Sequence, residues 1–477
     1  MEHETRPTPI LYANDIRARL RTGRFRVCVV GIGRIGLPTA LSFARSGIKV
    51  TGLDINESLI SKIRSSDFPL DDEPGCRDIF ESVYPRGMLS VTDDPAEAIP
   101  NADMVLLSLP TPMDAFGNPH YTALESVASQ LNSLLALGSV VVVESTVEPN
   151  FVESEMAPLI EGDSSRLKVS ENFGLGVCPE TANPGQILDD FGSLPRLVGA
   201  MDERTAEIIS EVYGHVFPVE LVRMPDCRTA NAVKLTTNVF RDVNIAFVNE
   251  LAILFERLGI DVNIVLEAAK RKYNFEPHYP GAGVGGPCLP VNSYQMLNVA
   301  SRIAGGSSLL GMVRAGRRAN EFMPSHVVDL LYDGLREAGS TDGALTVALL
   351  GVSYKPNVRD VQLAPSGEIA RLLRSRNVDI KIYDPHYAGD MVFGARVGGS
   401  AAEIMRGVDA AVLVTAHDEL RVLEARAIRE SGCRVIVDCC GAIDPAAAVT
   451  AGLVYRGVGR GAGSTDAGGD DVGAHSS

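Results

Sequence analysis

The chain has 477 residues, 45% of them hydrophobic, and a formal net charge of −16. That length exceeds what one core supports, so two or three domains are expected. The acidic balance excludes nucleic acid and anionic membrane surfaces as main partners, since both need clustered basic charge.

The start, Met1-Glu2-His3-Glu4-Thr5-Arg6, carries acids and no apolar core, so it does not read as a secretory signal. No apolar run reaches the roughly 20 residues of a membrane span. The eight cysteines include no CxxC pair, and the eight histidines show no metal-like spacing. No metal site is expected, and a reducing cytoplasm suits the free thiols.

Residues 1–24 read as an N-terminal arm or first helix. Arg26-Val27-Cys28-Val29-Val30 is a short buried strand, followed by Gly31-Ile32-Gly33-Arg34-Ile35-Gly36 and an apolar helix. Strand-like runs at Val50–Leu53, Met104–Leu109 and Val140–Val143 alternate with helices, which implies a parallel sheet with crossover helices. This first domain is placed at 25–205. The glycine sextet is weak alone, but here it follows a strand, opens a helix and is trailed by Asp54 at the end of the next strand. The glycines admit a pyrophosphate close to the backbone, and the helix N-terminus attracts its charge. Asp54 would accept from a ribose 2′-hydroxyl and repel a 2′-phosphate, so the expected cofactor is NAD rather than NADP.

From about residue 206 the pattern turns helical, and a central helical domain is placed at 206–325. Thr229 to Leu258 keeps a helical apolar period, with Gly259 as its cap. At 1.5 Å per residue this helix is roughly 40 Å long, enough to join two domains or two subunits. Lys234 and Asn238 share one face of it at i,i+4 spacing. An ammonium beside an amide can stabilise an oxyanion; the plainer reading is a solvated lysine beside a polar residue. Downstream, Tyr279 to Pro290 sets one cysteine, Cys288, behind a run of glycines and between two prolines. Glycines let a backbone approach a ligand and prolines stiffen the chain beside them, which suits a nucleophilic thiol. A free cysteine in a tight turn is the alternative. Gly281-Ala282-Gly283-Val284-Gly285-Gly286 also matches G-x-G-x-x-G, but no strand precedes it, so it is not expected to open a Rossmann helix.

A second strand–helix alternation begins at Thr346–Gly351 and continues through Ile380–Tyr383, Ala410–Val414 and Val435–Asp438, placing an α/β domain at 326–456. Cys439 and Cys440 read as small apolar residues of a buried strand. Residues 457–477, rich in Gly, Ser and Asp, read as a disordered tail. The expected fold class is α/β: two Rossmann-like domains joined by a central helical domain with a long helix.

Several segments recur in a telling order. They are Val29-Val30-Gly31-Ile32-Gly33-Arg34-Ile35-Gly36-Leu37-Pro38, Glu144-Ser145-Thr146-Val147, Cys178-Pro179-Glu180, Asn231-Ala232-Val233-Lys234-Leu235, Gly285-Gly286-Pro287-Cys288-Leu289-Pro290 and Gly351-Val352-Ser353-Tyr354-Lys355-Pro356-Asn357. Across about residues 25–455 this order resembles the UDP-glucose/GDP-mannose dehydrogenase family, the nucleotide-sugar 6-dehydrogenases. The resemblance implies two successive hydride transfers to NAD from one sugar carbon, passing through a thiohemiacetal and a thioester on cysteine. It implies that Cys288 is the nucleophile, that Lys234 and Asn238 hold the substrate oxygen, and that Thr146 and Glu180 position water and shuttle protons. It places Thr111 and Thr146 at the cofactor beside the glycine loop. It places Glu180, Lys234, Asn238, Tyr279, Gly285, Arg317 and Lys355 at the UDP-sugar, with the C-terminal domain holding its nucleotide. Polysaccharide biosynthesis is the setting it implies; a homodimer or larger assembly is expected from the length and apolar stripe of the Thr229–Leu258 helix, which one small domain would hardly cover.

The chain departs from the family pattern at three places. Asn292 stands where relatives carry Asp, so the base role there moves to Glu180 or weakens. Asp360-Val361-Gln362-Leu363-Ala364-Pro365 lacks the arginine and serine of Asp-x-Arg-x-Ser-Pro. Pro287 stands where His or Ser is common. Pro277-His278-Tyr279-Pro280-Gly281 looks like the dehydrogenases of N-acetylated sugars, with UDP-N-acetylmannosamine as preferred substrate and UDP-N-acetylglucosamine or UDP-glucose as alternatives. Two other readings compete: a two-electron dehydrogenase, which needs neither Cys288 nor a second α/β domain, and a non-catalytic nucleotide-sugar binding protein, motivated by Asn292 and Gln362.

Overall fold

The computed structural model describes residues 8–114, 116–163, 166–303, 305–340 and 345–461. They form two compact units. One takes the chain up to Thr237 together with Tyr294–Ala304; the other takes Asn238–Ser293 and the chain from Gly305 onward.

The first unit is built on β1 (Arg26–Val30), β2 (Lys49–Leu53), β3 (Leu89–Thr92), β4 (Met104–Leu107), β5 (Val140–Val143), β6 (Gly174–Val177), β7 (Arg196–Ala200) and β8 (Leu221–Arg223). The strand order is β3-β2-β1-β4-β5-β6-β7-β8, and only the β6–β7 pair is antiparallel. β4 and β5 are apolar and buried at every position, because helices cover both faces of a parallel sheet. In register, Leu53, Val30, Leu107, Val143 and Val177 end their strands side by side. The next residues, Asp54, Gly31, Ser108, Glu144 and Cys178, therefore form a row along the carboxyl edge, where open α/β sheets take their ligands. The arm packs onto this unit: Ile10, Leu11, Ile16 and Leu20 are buried, and Leu11 N–H donates to the Gly138 carbonyl at 2.9 Å.

The second unit carries β9 (Thr346–Leu350), β10 (Asp379–Tyr383), a short hairpin of β11 (Met391–Val392) and β12 (Ala395–Arg396), β13 (Ala410–Leu413), β14 (Val435–Asp438) and β15 (Val454–Gly457). Its parallel sheet has the order β10-β9-β13-β14-β15, doubly wound with a switch point between β9 and β13.

The helical middle differs from its outline in sequence. The long helix runs Cys227–Leu258, 32 residues, or about 48 Å. It is shared between the units, as is the helix Leu289–Ser301. A second long helix, Gly311–Glu337, crosses the expected boundary at 325/326. It packs on β14 and β15, and Gly334 lets it approach Val435, because a Cβ there would lie 2.6 Å from that side chain. This helix therefore carries the chain from the central segment onto the second sheet without a break, with Pro324 within it. The expected tail at 457 also begins early: Val458 is buried, and Gly459 N–H donates to Glu256 Oε1 at 2.6 Å. Residues 462–477 lie outside the described residues. Among the described residues no helix is long and apolar enough to cross a membrane.

Candidate active site

At the carboxyl edge of the first sheet, each glycine of the sextet has its own reason. Gly31 has φ +85, and a Cβ on it would lie 2.6 Å from the Ser108 carbonyl oxygen. A Cβ on Gly36 would lie 1.8 Å from Gly31 O. These two are demanded by the loop's own folding. A Cβ on Gly33 would meet nothing within 4 Å, so its face is open to an approaching pyrophosphate. Asp54 Oδ2 accepts from Ile32 N–H and Oδ1 from Asn56 N–H, both at 2.9 Å. A carboxylate has about four acceptor positions, so capacity remains for ribose hydroxyls. These residues fit NAD. Ile35 caps the helix Gly36–Arg45. Arg34 turns its guanidinium to Asp72 (2.8 Å) and Glu73 (3.0 Å), which shapes the loop from behind.

Further along the same edge, Thr111 and Thr146 meet: the Thr111 hydroxyl donates to the Thr146 carbonyl at 3.0 Å. Gln295 Nε2 donates to that carbonyl at 3.2 Å and to the Tyr121 hydroxyl at 3.1 Å. Glu180 Oε1 accepts from the Thr181 and Ala182 N–H groups, and Oε2 accepts from buried Arg196 at 3.0 Å. Arg196, which sequence reading missed, is itself clamped over the ring of Phe217, 3.8 Å from its centroid. Glu180 is thus anchored by three donors. Neighbouring Glu144 accepts from Ser108 Oγ at 2.5 Å and Tyr213 OH at 2.7 Å. Burial, then repulsion from Glu180, pushes its carboxyl above the usual range. Lys234 is buried on the long helix in this unit.

The second unit holds the thiol. Cys288 is half-buried and immediately precedes the helix Leu289–Ser301; its carbonyl accepts the first helical bond, from Asn292 N–H at 2.8 Å. The prolines around it now have a reason. Pro290 lies in the first turn, whose N–H groups have no intrahelical partner to lose. That end of a helix favours negative charge. Asn238 and Asn292 are brought together: Asn238 Nδ2 donates to Asn292 Oδ1 at 2.5 Å. Burial pushes the thiols of Cys28, Cys76 and Cys178 up to about 12, which removes them as rival nucleophiles at neutral pH.

Behind this pair lies a buried network absent from the sequence reading. Asp242 accepts from Arg317 (2.8 Å), Ser293 (2.7 Å) and Asn320 (2.8 Å). Asn320 Oδ1 accepts from Asn249, whose own oxygen accepts from Gly281 N–H at 3.1 Å. Two stretches of chain near the thiol in sequence, at Gly281 and Ser293, are thereby tied to the two long helices. Asp242 sits at i+4 from Asn238, an acid on the inner stripe of a helix, and that spacing was the available signal. Arg317 is committed to Asp242 and to Glu321 at 3.1 Å. Tyr279 is half-exposed, with its hydroxyl on Glu267 at 2.7 Å.

The glycine run also has a packing reason. A Cβ on Gly285 would lie 2.6 Å from Leu363 O, and one on Gly286 would lie 2.7 Å from the Tyr354 ring. Gly286 N–H donates to Gln362 O at 2.9 Å. The departing segment Asp360–Pro365 thus meets the thiol loop through its backbone. Lys355 follows in the turn after β9, half-buried. That turn is organised by Asp384, whose Oδ2 accepts from Val352 N–H (2.8 Å), Ser353 N–H (3.1 Å), Ser353 Oγ (3.2 Å) and His417 Nε2 (2.9 Å). Burial works against its charge, but His417 and the backbone donors outweigh it and bring its carboxyl down to about 2.

Comparison with known proteins matches three domains in this order: the NAD binding domain of the UDP-glucose/GDP-mannose dehydrogenase family over residues 25–217, its central domain over 228–321 and its UDP binding domain over 348–445. The chain belongs to the UDP-glucose/GDP-mannose dehydrogenase family. It is 31% identical to a UDP-N-acetyl-D-mannosamine dehydrogenase of Pyrococcus horikoshii, over 91% of this chain and 99% of that one. It is also 31% identical to a UDP-N-acetyl-D-glucosamine 6-dehydrogenase of Pseudomonas aeruginosa, over 85% and 94% of the two chains. The solved structure of the P. horikoshii enzyme superposes with a TM-score of 0.83 at 30% identity, covering 92% of this chain and all of the other. This dehydrogenase uses NAD and acts on a UDP-sugar.

Proposed function

We propose that the enzyme oxidises the C6 hydroxyl of a UDP-N-acetylhexosamine, UDP-N-acetylmannosamine by preference, to the uronate through a covalent adduct on Cys288. The observation that carries this reading is the half-buried thiol at a helix N-terminus, with Asn238 held in a fixed orientation by Asn292. Two NAD molecules, bound in turn at the glycine loop and Asp54, would each accept one hydride. Lys234 and Asn238 hold the C6 oxygen, and its proton leaves to water near Thr146. The thiolate of Cys288 adds to the aldehyde carbon and forms a C–S bond, which keeps the reactive aldehyde on the protein. Loss of the second hydride leaves a thioester. Water adds to it, the C–S bond breaks, and carboxylate and thiol are released. Glu180, tied to Arg196, orients that water. Asn292 sets the Asn238 amide and takes no proton. Lys355 and the turn around Asp384 hold the UDP end.

UDP-N-acetylglucosamine is the second reading, since relatives for both sugars stand at the same identity. A homodimer is also proposed. Phe240, Phe247 and Leu254 recur at heptad spacing on the long helix and are about half exposed, a stripe suited to a second copy. The reaction belongs in the cytoplasm, where NAD and UDP-sugars are found. A panel of UDP-sugars with NAD, counting NADH formed per sugar, tests the main reading. Two NADH per sugar and fastest turnover of UDP-N-acetylmannosamine are expected; one NADH per sugar, or turnover of a non-acetylated sugar alone, contradicts it.

A further inference from the structure

The two loops that flank the switch point of the second sheet meet on one imidazole. His417, in the loop after β13, is 1% exposed. Its Nε2 faces Asp384 Oδ2 at 2.9 Å, and its Nδ1 accepts the Asn357 N–H at 2.9 Å. A carboxylate can only accept and an amide N–H can only donate, so the ring carries its proton on Nε2 and none on Nδ1. Asn357 returns the contact, since its Oδ1 accepts from Asp418 N–H at 3.1 Å. Thr415 Oγ1 closes the other end by donating to Ser353 O at 2.6 Å. Asn357 has φ +59, a conformation that asparagine tolerates better than most residues and that needs fixing from outside. Ser353 and Asn357 are therefore both pinned, one by Asp384 and one by His417, and Tyr354, Lys355 and Pro356 arch between them.

We propose that His417 is a positioning residue for the UDP moiety: as a neutral latch it fixes the turn that presents Lys355 to the diphosphate. The proposal rests on the reading that this domain holds UDP. Among the described residues Asp54, in the first sheet, accepts from backbone N–H groups and not from an imidazole, so the latch is a feature of the second sheet.

UDP is the probe, with binding measured by calorimetry on the full-length enzyme and NAD binding as the internal control. His417→Ala leaves the part-buried Asn357 N–H and one buried Asp384 position unmatched and weakens UDP by about tenfold or more, with the NAD Kd within about twofold of wild type. His417→Gln keeps a donor for Asp384 and His417→Asn keeps an acceptor for Asn357, and each recovers part of the loss. The KM for UDP-sugar follows the UDP Kd, while kcat at saturation moves less than about threefold. In the wild type, hydrogen exchange over residues 351–358 slows when UDP is added. UDP binding unchanged in His417→Ala, or exchange over 351–358 indifferent to UDP that does bind, overturns the latch. A wild type that binds NAD but not UDP removes the UDP reading itself, and the latch with it.

Discussion

Gly31 and Gly351 occupy the same place in their two sheets. Each ends the first strand with φ in the left-handed region, +85 and +72. Each donates its N–H to the last residue of the neighbouring strand, Leu53 or Tyr383, at 2.8 Å. In each sheet an aspartate after that neighbour accepts the next N–H, Ile32 to Asp54 and Val352 to Asp384. Beyond this shared turn they diverge. Gly33 leaves an open face and a helix starts at Gly36, whereas Ser353 turns its hydroxyl onto Asp384 and the next helix waits until Pro365. Asp54 is half-buried with acceptor capacity left; Asp384 is fully buried under His417. One backbone device therefore serves two ends. In the first sheet the acid and the helix end are left for a ligand. In the second the acid is absorbed into the fold under His417, and the proposed reading gives binding to the loop.

The comparison can be broken at either glycine. Gly36→Ala puts a Cβ 1.8 Å from Gly31 O, so the loop must open. NAD affinity is expected to fall by about a hundredfold or more, with UDP binding unchanged; equal loss of both ligands in paired titrations would mean that the sheets are not independent. Gly351→Ala is the mirror experiment, with a Cβ 1.9 Å from Thr415 O. It should weaken UDP by about tenfold or more and spare NAD. Asp54→Ala sharpens the contrast. It should narrow the preference for NAD over NADP by about tenfold, read as the ratio of kcat/KM values, while no substitution at Asp384 alters that ratio.

Acid separates the two aspartates as well. The Asp384 carboxyl is lowered from 3.8 to about 2 in the folded chain. Its contribution, about 2 kcal/mol, is complete above about pH 4 and is lost as the pH falls through about 2. Asp384→Asn should therefore lie well below wild type in thermal stability at neutral pH, with the gap closing between about pH 4 and pH 2. A constant gap would show that the carboxylate is not what matters. The smallest effect concerns hydrolysis. If no other group supplies the base, Asn292→Asp should speed the thioester step by about threefold to tenfold. An unaltered or slower final step in single-turnover mixing would leave Asn292 only its observed task, holding Asn238.

The nucleotide loop of the first sheet was legible in sequence because strand, glycines, helix and Asp54 are close neighbours in the chain. The apolar runs of β4 and β5 were legible because a two-sided sheet buries every residue. Other features depend on partners distant in sequence. Arg196 reads as an ordinary strand-end cation until Glu180 and the rings of Phe191 and Phe217 close around it. Asp242 gains its meaning only when Ser293, Arg317 and Asn320 arrive from two other helices. The continuity of Gly311–Glu337 and its packing on the second sheet were not legible, because periodicity does not record which sheet a helix covers.

Cys288 tests the account most directly. Wild-type enzyme incubated with NAD and UDP-N-acetylmannosamine should yield two NADH per sugar, and intact-protein mass spectra during turnover should show the sugar nucleotide attached. Cys288→Ala should still bind NAD and UDP, yet form carboxylate more slowly by about three orders of magnitude or more and carry no adduct. If Cys288→Ala releases two NADH per sugar at close to the wild-type rate, the thiol is structural and the covalent route is wrong.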